Sequence, residues 1–299
     1  MSKFICLYAA LTCIFSAQSW ASPPVDPALA KIDDKCVLKG AAAPGRHVFL
    51  IKQWHLDGSV DTRTKPPKEA SQARNQAAIF GQLDKWVQGG KLAAVIAEGC
   101  SGEIAAGSAL KFNGWTVADL KAVSGRGDFA AVITSVPMKI EARHGDRIKT
   151  LCGDDPALIK ENLRAFSDTR GVIGFMTRLD QYKNDTMRAK PYLDGVIKLY
   201  KMPEDTRVEQ ALWKLRSELK VAIKKILESI DKRNESVVAA VKAAPQGEIA
   251  VVFGGAHAPG IKAGLEKSNI ACTVLVPDGY SDEEKEMIEK LKTFAGKKE

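Results

Sequence analysis

The chain has 299 residues, a formal net charge of +8 and a hydrophobic fraction of 45%. That length suits one large domain, with or without an insertion. The basic residues are spread along predicted helices with few aromatic residues among them. This pattern is typical of a solvated surface, so we expect neither a nucleic-acid partner nor a membrane-surface partner.

The first 21 residues have the features of a secretory signal peptide. Lys3 is the only early charge, an apolar run from Phe4 to Ala17 follows, and Ser19-Trp20-Ala21 resembles a cleavage site. The alternative is an uncleaved anchor, but about 14 apolar residues are short for a hydrocarbon core of ~30 Å. We therefore predict cleavage after Ala21, and a periplasmic or secreted protein that is not integral to a membrane.

Four cysteines remain after that cleavage, and in an oxidising compartment they can form two disulfides. Their spacing contains no C-x-x-C zinc pattern. Three pairings are open, and Cys36 is placed near Cys100 if residues 33–40 fold back on the first strand, and near Cys272 otherwise. The four are Cys36, Cys100, Cys152 and Cys272.

Five apolar runs predict strands that are buried on both faces, as in a parallel sheet. The runs are His47–Gln53, Leu92–Glu98, Ile148–Cys152, Ile249–Phe253 and Cys272–Val276. Helical patterns accompany them at Lys68–Gln88, Phe129–Arg143, Ala258–Ser268 and Asp282–Lys292. The alternation predicts an α/β fold with a mostly parallel sheet flanked by helices.

A long helical insertion is predicted at about 156–244, between the third and fourth strands. Pro156–Asn184 and Thr206–Ala244 have helical patterns, and the region of Pro191 and Pro203 joins them. We expect a single domain over 22–299, with this insertion covering the sheet and with Pro23–Pro27 as a loose leader.

Polar residues follow four of the predicted strands. His55, Glu98, Asp154 and His257 lie at or just past the ends of strands, where open α/β sheets bind ligands. Two imidazoles and a carboxylate can hold a divalent metal that acidifies water. Without a metal, a histidine can act as a general base that a carboxylate orients. The alternative is that each is an ordinary loop residue.

Three segments resemble the superfamily that joins the TraB/PrgY, GumN and Tiki proteins with erythromycin-esterase-like and ChaN-like proteins. They are Leu50 to His55, Val95 to Glu98 and Val251 to Gly260, and Arg233-Asn234 matches the helical Arg-Asn motif that precedes the last strand. The resemblance covers roughly Val48–Val276. Tiki members resemble metal-dependent proteases, erythromycin-esterase-like members are hydrolases, and ChaN-like members bind haem iron.

The resemblance implies roles for individual residues. His55, Glu98 and His257 would be the catalytic residues and metal ligands, with a divalent metal favoured over haem. Arg233 would hold a site carboxylate or the substrate, since guanidinium pairs bidentately with carboxylates. Asp154 is not part of the resemblance, but its position just past the third predicted strand makes it a further candidate for a ligand or an orienting carboxylate.

Two positions depart from the family pattern. Lys52 replaces a glycine, and Gln53 replaces a glutamate whose charge a neutral amide cannot supply. Trp54 adds apolar surface at the mouth, so Gln53 and Trp54 are expected to bind or orient the substrate.

We therefore expect an exported hydrolase that acts on a small-molecule or peptide substrate. The departures at Lys52 and Gln53 raise two alternatives: a non-catalytic protein that binds a metal, haem or a small ligand, and an inactive scaffold.

Overall fold

The computed structural model describes residues 22–43, 45–54, 71–105, 110–112 and 114–296. The predicted signal peptide lies outside these ranges. The six strands are β1 (Ala30–Lys35), β2 (Arg46–Gln53), β3 (Ala94–Ala97), β4 (Lys149–Cys152), β5 (Gly247–Gly254) and β6 (Ala271–Pro277). The α-helices are α1 (Ser71–Gln88), α2 (Val117–Val123), α3 (Val136–His144), α4 (Pro156–Tyr182), α5 (Thr186–Tyr200), α6 (Val208–Ala243), α7 (Ala258–Lys267) and α8 (Glu283–Gly296). None of these helices has the length and apolarity needed to span a membrane.

The sheet has the strand order β1-β6-β2-β5-β3-β4. The five predicted strands run parallel to their neighbours, which confirms a mostly parallel α/β sheet. The unpredicted strand, β1, runs antiparallel to β6 at one edge and makes the sheet mixed. Its sequence is mostly charged and only Ala30 is buried, so it has no apolar pattern from which a strand could be predicted.

Two cores lie on opposite faces of the sheet because successive side chains of a strand point to opposite sides. On β2, Phe49 and Ile51 pack into the core beneath α1, where Phe49 contacts Trp86. Val48 and Leu50 pack into the other core, beneath α6 and α7. Burial on both faces explains why the central strands are continuously apolar.

The helical insertion comprises α4, α5 and α6 and lies between β4 and β5. We expected it between the third and fourth strands, but β1 precedes the strands that the apolar runs predicted, so the numbering shifts by one. A second difference is α5, which continues through Pro191 where we expected a joining segment. Proline forfeits a helical hydrogen bond, and packing of Val196 against α4 and α6 offsets that loss.

The predicted helix Phe129–Arg143 is broken in the structure. A 3-10 turn spans Phe129–Ala131, and α3 begins only at Val136, with Pro137 in its first turn. Proline is tolerated there because the first helical N–H groups have no partner within the helix.

The leader at Pro23–Pro27, expected to be loose, is bound to α1. The indole Nε1 of Trp86 donates to the carbonyl of Pro24 at 2.9 Å, and the backbone N–H of Asp26 donates to Gln82 at 2.8 Å. Lys85 forms an ion pair with Asp26. These are contacts to side chains of a distant helix, which local composition does not reveal.

Two disulfides confirm that the four cysteines pair. Cys36–Cys272 joins the residue after β1 to β6, which decides the open placement of Cys36. Cys100–Cys152 joins the segment after β3 to the last residue of β4. Both are consistent with an extracytoplasmic protein.

Candidate active site at the carboxyl ends of the strands

Four polar residues meet where β3, β4 and β5 end. Glu98 follows β3, Asp154 lies two residues past β4, and His257 lies three residues past β5. Arg233 reaches the same point from the buried face of α6. Because β5, β3 and β4 are adjacent in the sheet, their carboxyl ends bring these side chains together.

Arg233 joins the two carboxylates. Its Nε and Nη2 atoms donate to Asp154 at 2.9 and 2.8 Å, and Nη2 also donates to Glu98 at 2.6 Å. The side chain of Asp154 is fully buried, and those of Glu98 and Arg233 are each 10% exposed. A buried ion pair needs such a complete hydrogen-bond set, because desolvation of the charges is costly.

Backbone groups complete the carboxylate network. The N–H of Gly254 donates to Glu98 at 2.6 Å, and the N–H of Gly99 donates to Asp154 at 2.8 Å. Burial acts to lower the pKa of Arg233, but the hydrogen bonds and charges of Asp154 and Glu98 outweigh it and raise that pKa above the usual arginine value. Arg233 is therefore a permanent cation that holds both carboxylates in place.

Asn234 sets the protonation of His257. The Nδ1 atom of His257 lies 2.7 Å from Oδ1 of Asn234, and both residues are buried. An amide oxygen can only accept, so Nδ1 carries a proton. In the neutral imidazole the lone pair then resides on Nε2, which is the form that a general base or a metal ligand requires.

The Nε2 atom of His257 faces Glu98, with 3.5 Å between Nε2 and Oε1. A neutral Nε2 and a carboxylate are both acceptors, so their approach favours a proton or a cation between them. Two ligands of one tetrahedral ion, with bonds of about 2.1 Å, would lie about 3.4 Å apart. The distance fits either a proton-transfer pair or two ligands of a shared cation.

Two glycines near His257 make this arrangement sterically possible. A Cβ at Gly260 would collide with the amide nitrogen of Asn234, so glycine lets α6 approach α7 closely enough to reach His257. A Cβ at Gly255 would collide with the hydroxyl of Tyr280. The glycines of this segment therefore serve close packing.

An open cleft of about 540 Å³ lies above the polar cluster. This volume is within the range of small-molecule sites. Glu98, Arg233 and His257 reach its floor, and α4, α6 and α8 supply most of its walls. The wall side chains include Phe112, Leu163, Phe166, Ile230, Met287 and Ile288.

The other predicted site residues lie away from the polar cluster or outside the residues that the structure describes. His55 is outside the described residues. Gln53 ends β2 in register with Gly254 and is buried, and Trp54 is half-buried with its N–H donating to Asn75 at 2.8 Å. Neither lines the cleft in the described part of the chain. Lys52 forms an ion pair with Asp33 at 2.7 Å, away from the cluster.

Sequence reasoning missed the role of Asn234 and the cleft walls. The Arg-Asn pair was the available signal, because both side chains lie on the buried face of α6. Leu163 and Phe166 show only as part of an amphipathic helix, and nothing local indicates which side of α4 faces the cleft.

Within the described ranges, no group of three or more His, Cys, Asp and Glu side chains is arranged to hold a metal ion. The third ligand implied by the resemblance, His55, lies outside those ranges. Comparison with protein-family models, curated proteins and solved structures returned no match to this chain.

Proposed function

We propose that this protein is an exported hydrolase of the kind that its TraB/GumN-like motifs suggest, with His257 and Glu98 as its catalytic residues. The observation that carries the proposal is the orientation of His257. Asn234 holds its Nδ1 and leaves Nε2 facing Glu98 at 3.5 Å, on the floor of an open cleft.

In the proposed mechanism, His257 is the general base. Its Nε2 accepts a proton from water, the water oxygen attacks the electrophilic carbon, and the bond to the leaving group breaks. The imidazolium returns the proton to the leaving group, so one water adds across the bond. Glu98, which faces Nε2, stabilises the imidazolium by its negative charge, and Arg233 holds Glu98 in place.

A divalent metal is the proposed cofactor, since imidazole and carboxylate are ligands that such ions accept. His257 and Glu98 would be ligands, and His55 is the third ligand that the resemblance implies. Such an ion would acidify a bound water.

The test is hydrolysis of a panel of chromogenic esters and peptide amides by the purified mature protein, with elemental analysis of the same samples. We expect Glu98→Gln and His257→Gln to reduce turnover by about 10²–10⁴-fold, as for loss of an acid–base residue. His47→Gln, at the opposite edge of the sheet, is the control and should retain turnover. His55→Ala tests the third ligand.

Turnover that survives in both Glu98→Gln and His257→Gln, while thermal unfolding shows both variants folded, would reject the proposal. Metal content that is equal in the parent, His55→Ala and His257→Gln would reject the metal while leaving the general-base mechanism in place.

The second candidate is a non-catalytic binding protein. The apolar cleft walls favour it, because Leu163 is 65% exposed and large apolar side chains on a rim are typical of a ligand site. Ligand binding without turnover of any substrate would support this candidate.

A further inference from the structure

The cleft has a charged floor and mostly apolar walls, which also include Arg170 and Glu284. Three helices supply aliphatic side chains to the walls: Leu163 from α4, Ile230 from α6, and Met287 and Ile288 from α8. Exposure falls from the rim to the floor, from 65% at Leu163 and 44% at Met287 to 9% at Ile230 and 6% at Ile288. An apolar ligand that entered along these walls would cover the exposed rim residues.

The charges that line the cleft suit an uncharged ligand. The charged side chains that line the cleft balance one another, because Glu98 and Glu284 carry two negative charges against the two positive charges of Arg170 and Arg233. An uncharged reacting group suits this floor better than a carboxylate. Met287 adds an unbranched and flexible side chain, which adapts to a flexible ligand.

We infer that the substrate is an ester of an aliphatic carboxylic acid, with its acyl chain between α4 and α8. This rests on the proposed hydrolase function. Water adds to the acyl carbon, the acyl C–O bond breaks, and the proton from water passes to the departing alcohol. The products are the alcohol and the aliphatic acid, which is an anion at neutral pH.

Binding and turnover are measured separately. The binding probes are 4-nitrophenyl octyl ether and 4-nitrophenyl ethyl ether, which contain no ester bond, and the reactive pair is 4-nitrophenyl octanoate and 4-nitrophenyl acetate. We expect the octyl ether to bind at least about tenfold more tightly than the ethyl ether, since each buried methylene adds favourable transfer free energy. We expect octanoate ion to bind more weakly than the octyl ether.

The wall variant is Leu163→Gln with Met287→Gln. Both positions are exposed in the free protein, so we expect the fold to survive. The matched control is Leu199→Gln with Met187→Gln on α5, which are also exposed and line no part of the cleft. The wall variant should lose most of the octyl preference, and the control should keep it.

Equal binding of the two ethers, or equal loss in the wall variant and the control, would overturn the inference. Octyl preference without hydrolysis of either ester would support the ligand class and reject the proposed function. Hydrolysis without any preference for octanoate would support the function and reject the ligand class.

Discussion

The imidazole of His257 and the amide of Asn234 form the hydrogen bond on which the site depends, with 2.7 Å between Nδ1 and Oδ1. Asn234 belongs to α6 and His257 to the turn after β5, so the contact joins the helical insertion to the sheet. Arg233, the residue before Asn234, likewise joins α6 to the strand ends, because it donates hydrogen bonds to Asp154 and Glu98. One turn of α6 thus organises the whole polar cluster.

Replacing Asn234 by alanine should remove the preference of His257 for the tautomer with its proton on Nδ1. Without an acceptor at Nδ1, the proton can occupy either ring nitrogen, and we expect turnover to fall by about 10–100-fold, as for loss of a partner that orients a functional histidine. Nitrogen-15 NMR of the histidine rings reports the tautomer directly, and the ring signals of His47 serve as the internal control. A parent protein with its proton mainly on Nε2 would contradict the expectation.

Replacing Arg233 by methionine should destabilise the fold strongly. Asp154 and Glu98 would remain buried without their cation, and breaking a buried pair in this way costs about 3–5 kcal/mol of unfolding free energy. Arg233→Lys keeps the charge but not the bidentate geometry, so its loss should be smaller. Guanidinium denaturation compares the two variants with the parent. A methionine variant as stable as the parent would show that this network does not stabilise the fold.

Removing the disulfide beside the site should affect both stability and turnover. Cys100–Cys152 closes a separation of 52 residues, so its loss should cost about 4 kcal/mol of unfolding free energy on the chain-entropy model. Cys100 lies two residues from Glu98 and Cys152 two residues from Asp154, so turnover per folded molecule should also fall.

The matched control is the double serine variant of Cys36 and Cys272, which frees β1 at the sheet edge. It should lose stability but keep the turnover of its folded fraction. Equal loss of turnover in the two double variants would show that the Cys100–Cys152 disulfide has no specific effect on the site.

Lys139 should make stability depend on pH. Its ammonium group is fully buried and donates to the carbonyls of Ala130 and Val132 at 2.9 Å. Burial, with a smaller contribution from the charge of Arg143, lowers its pKa from 10.5 to about 7. Between these pH values the unfolded chain holds a proton that the folded protein has lost. Stability from this group therefore rises as pH increases from 7 towards 10.5, by at most about 1.4 kcal/mol per pH unit.

The measurement is the unfolding free energy at pH 7, 8 and 9 for the parent and for Lys139→Met. Groups other than Lys139 titrate in both proteins, so the difference between the two isolates this lysine. We expect the parent to gain stability relative to the variant as pH rises. A constant difference would show that Lys139 has the same charge in the folded and unfolded states.

The sequence by itself determined the parallel framework, because β2, β3, β4, β5 and β6 are buried on both faces and so appear as continuous apolar runs. It also placed Glu98, Asp154 and His257 at strand ends, since parallel strands present their carboxyl ends at one edge. It could not show β1, whose charged residues pair only through backbone groups with β6.

Only the tertiary structure decided the pairing of Cys36 with Cys272, the anchoring of the leader on α1, and the contacts within the polar cluster. Arg233 is 79 residues from Asp154 and 135 from Glu98, and Asn234 is 23 residues from His257. Contacts over such separations depend on how α6 packs across the sheet, and local propensity contains no information about that packing. The physical reason is that the apolar pattern of α6 indicates which face of the helix is buried. It does not indicate which strand ends that face meets, because the order of strands in the folded sheet decides this.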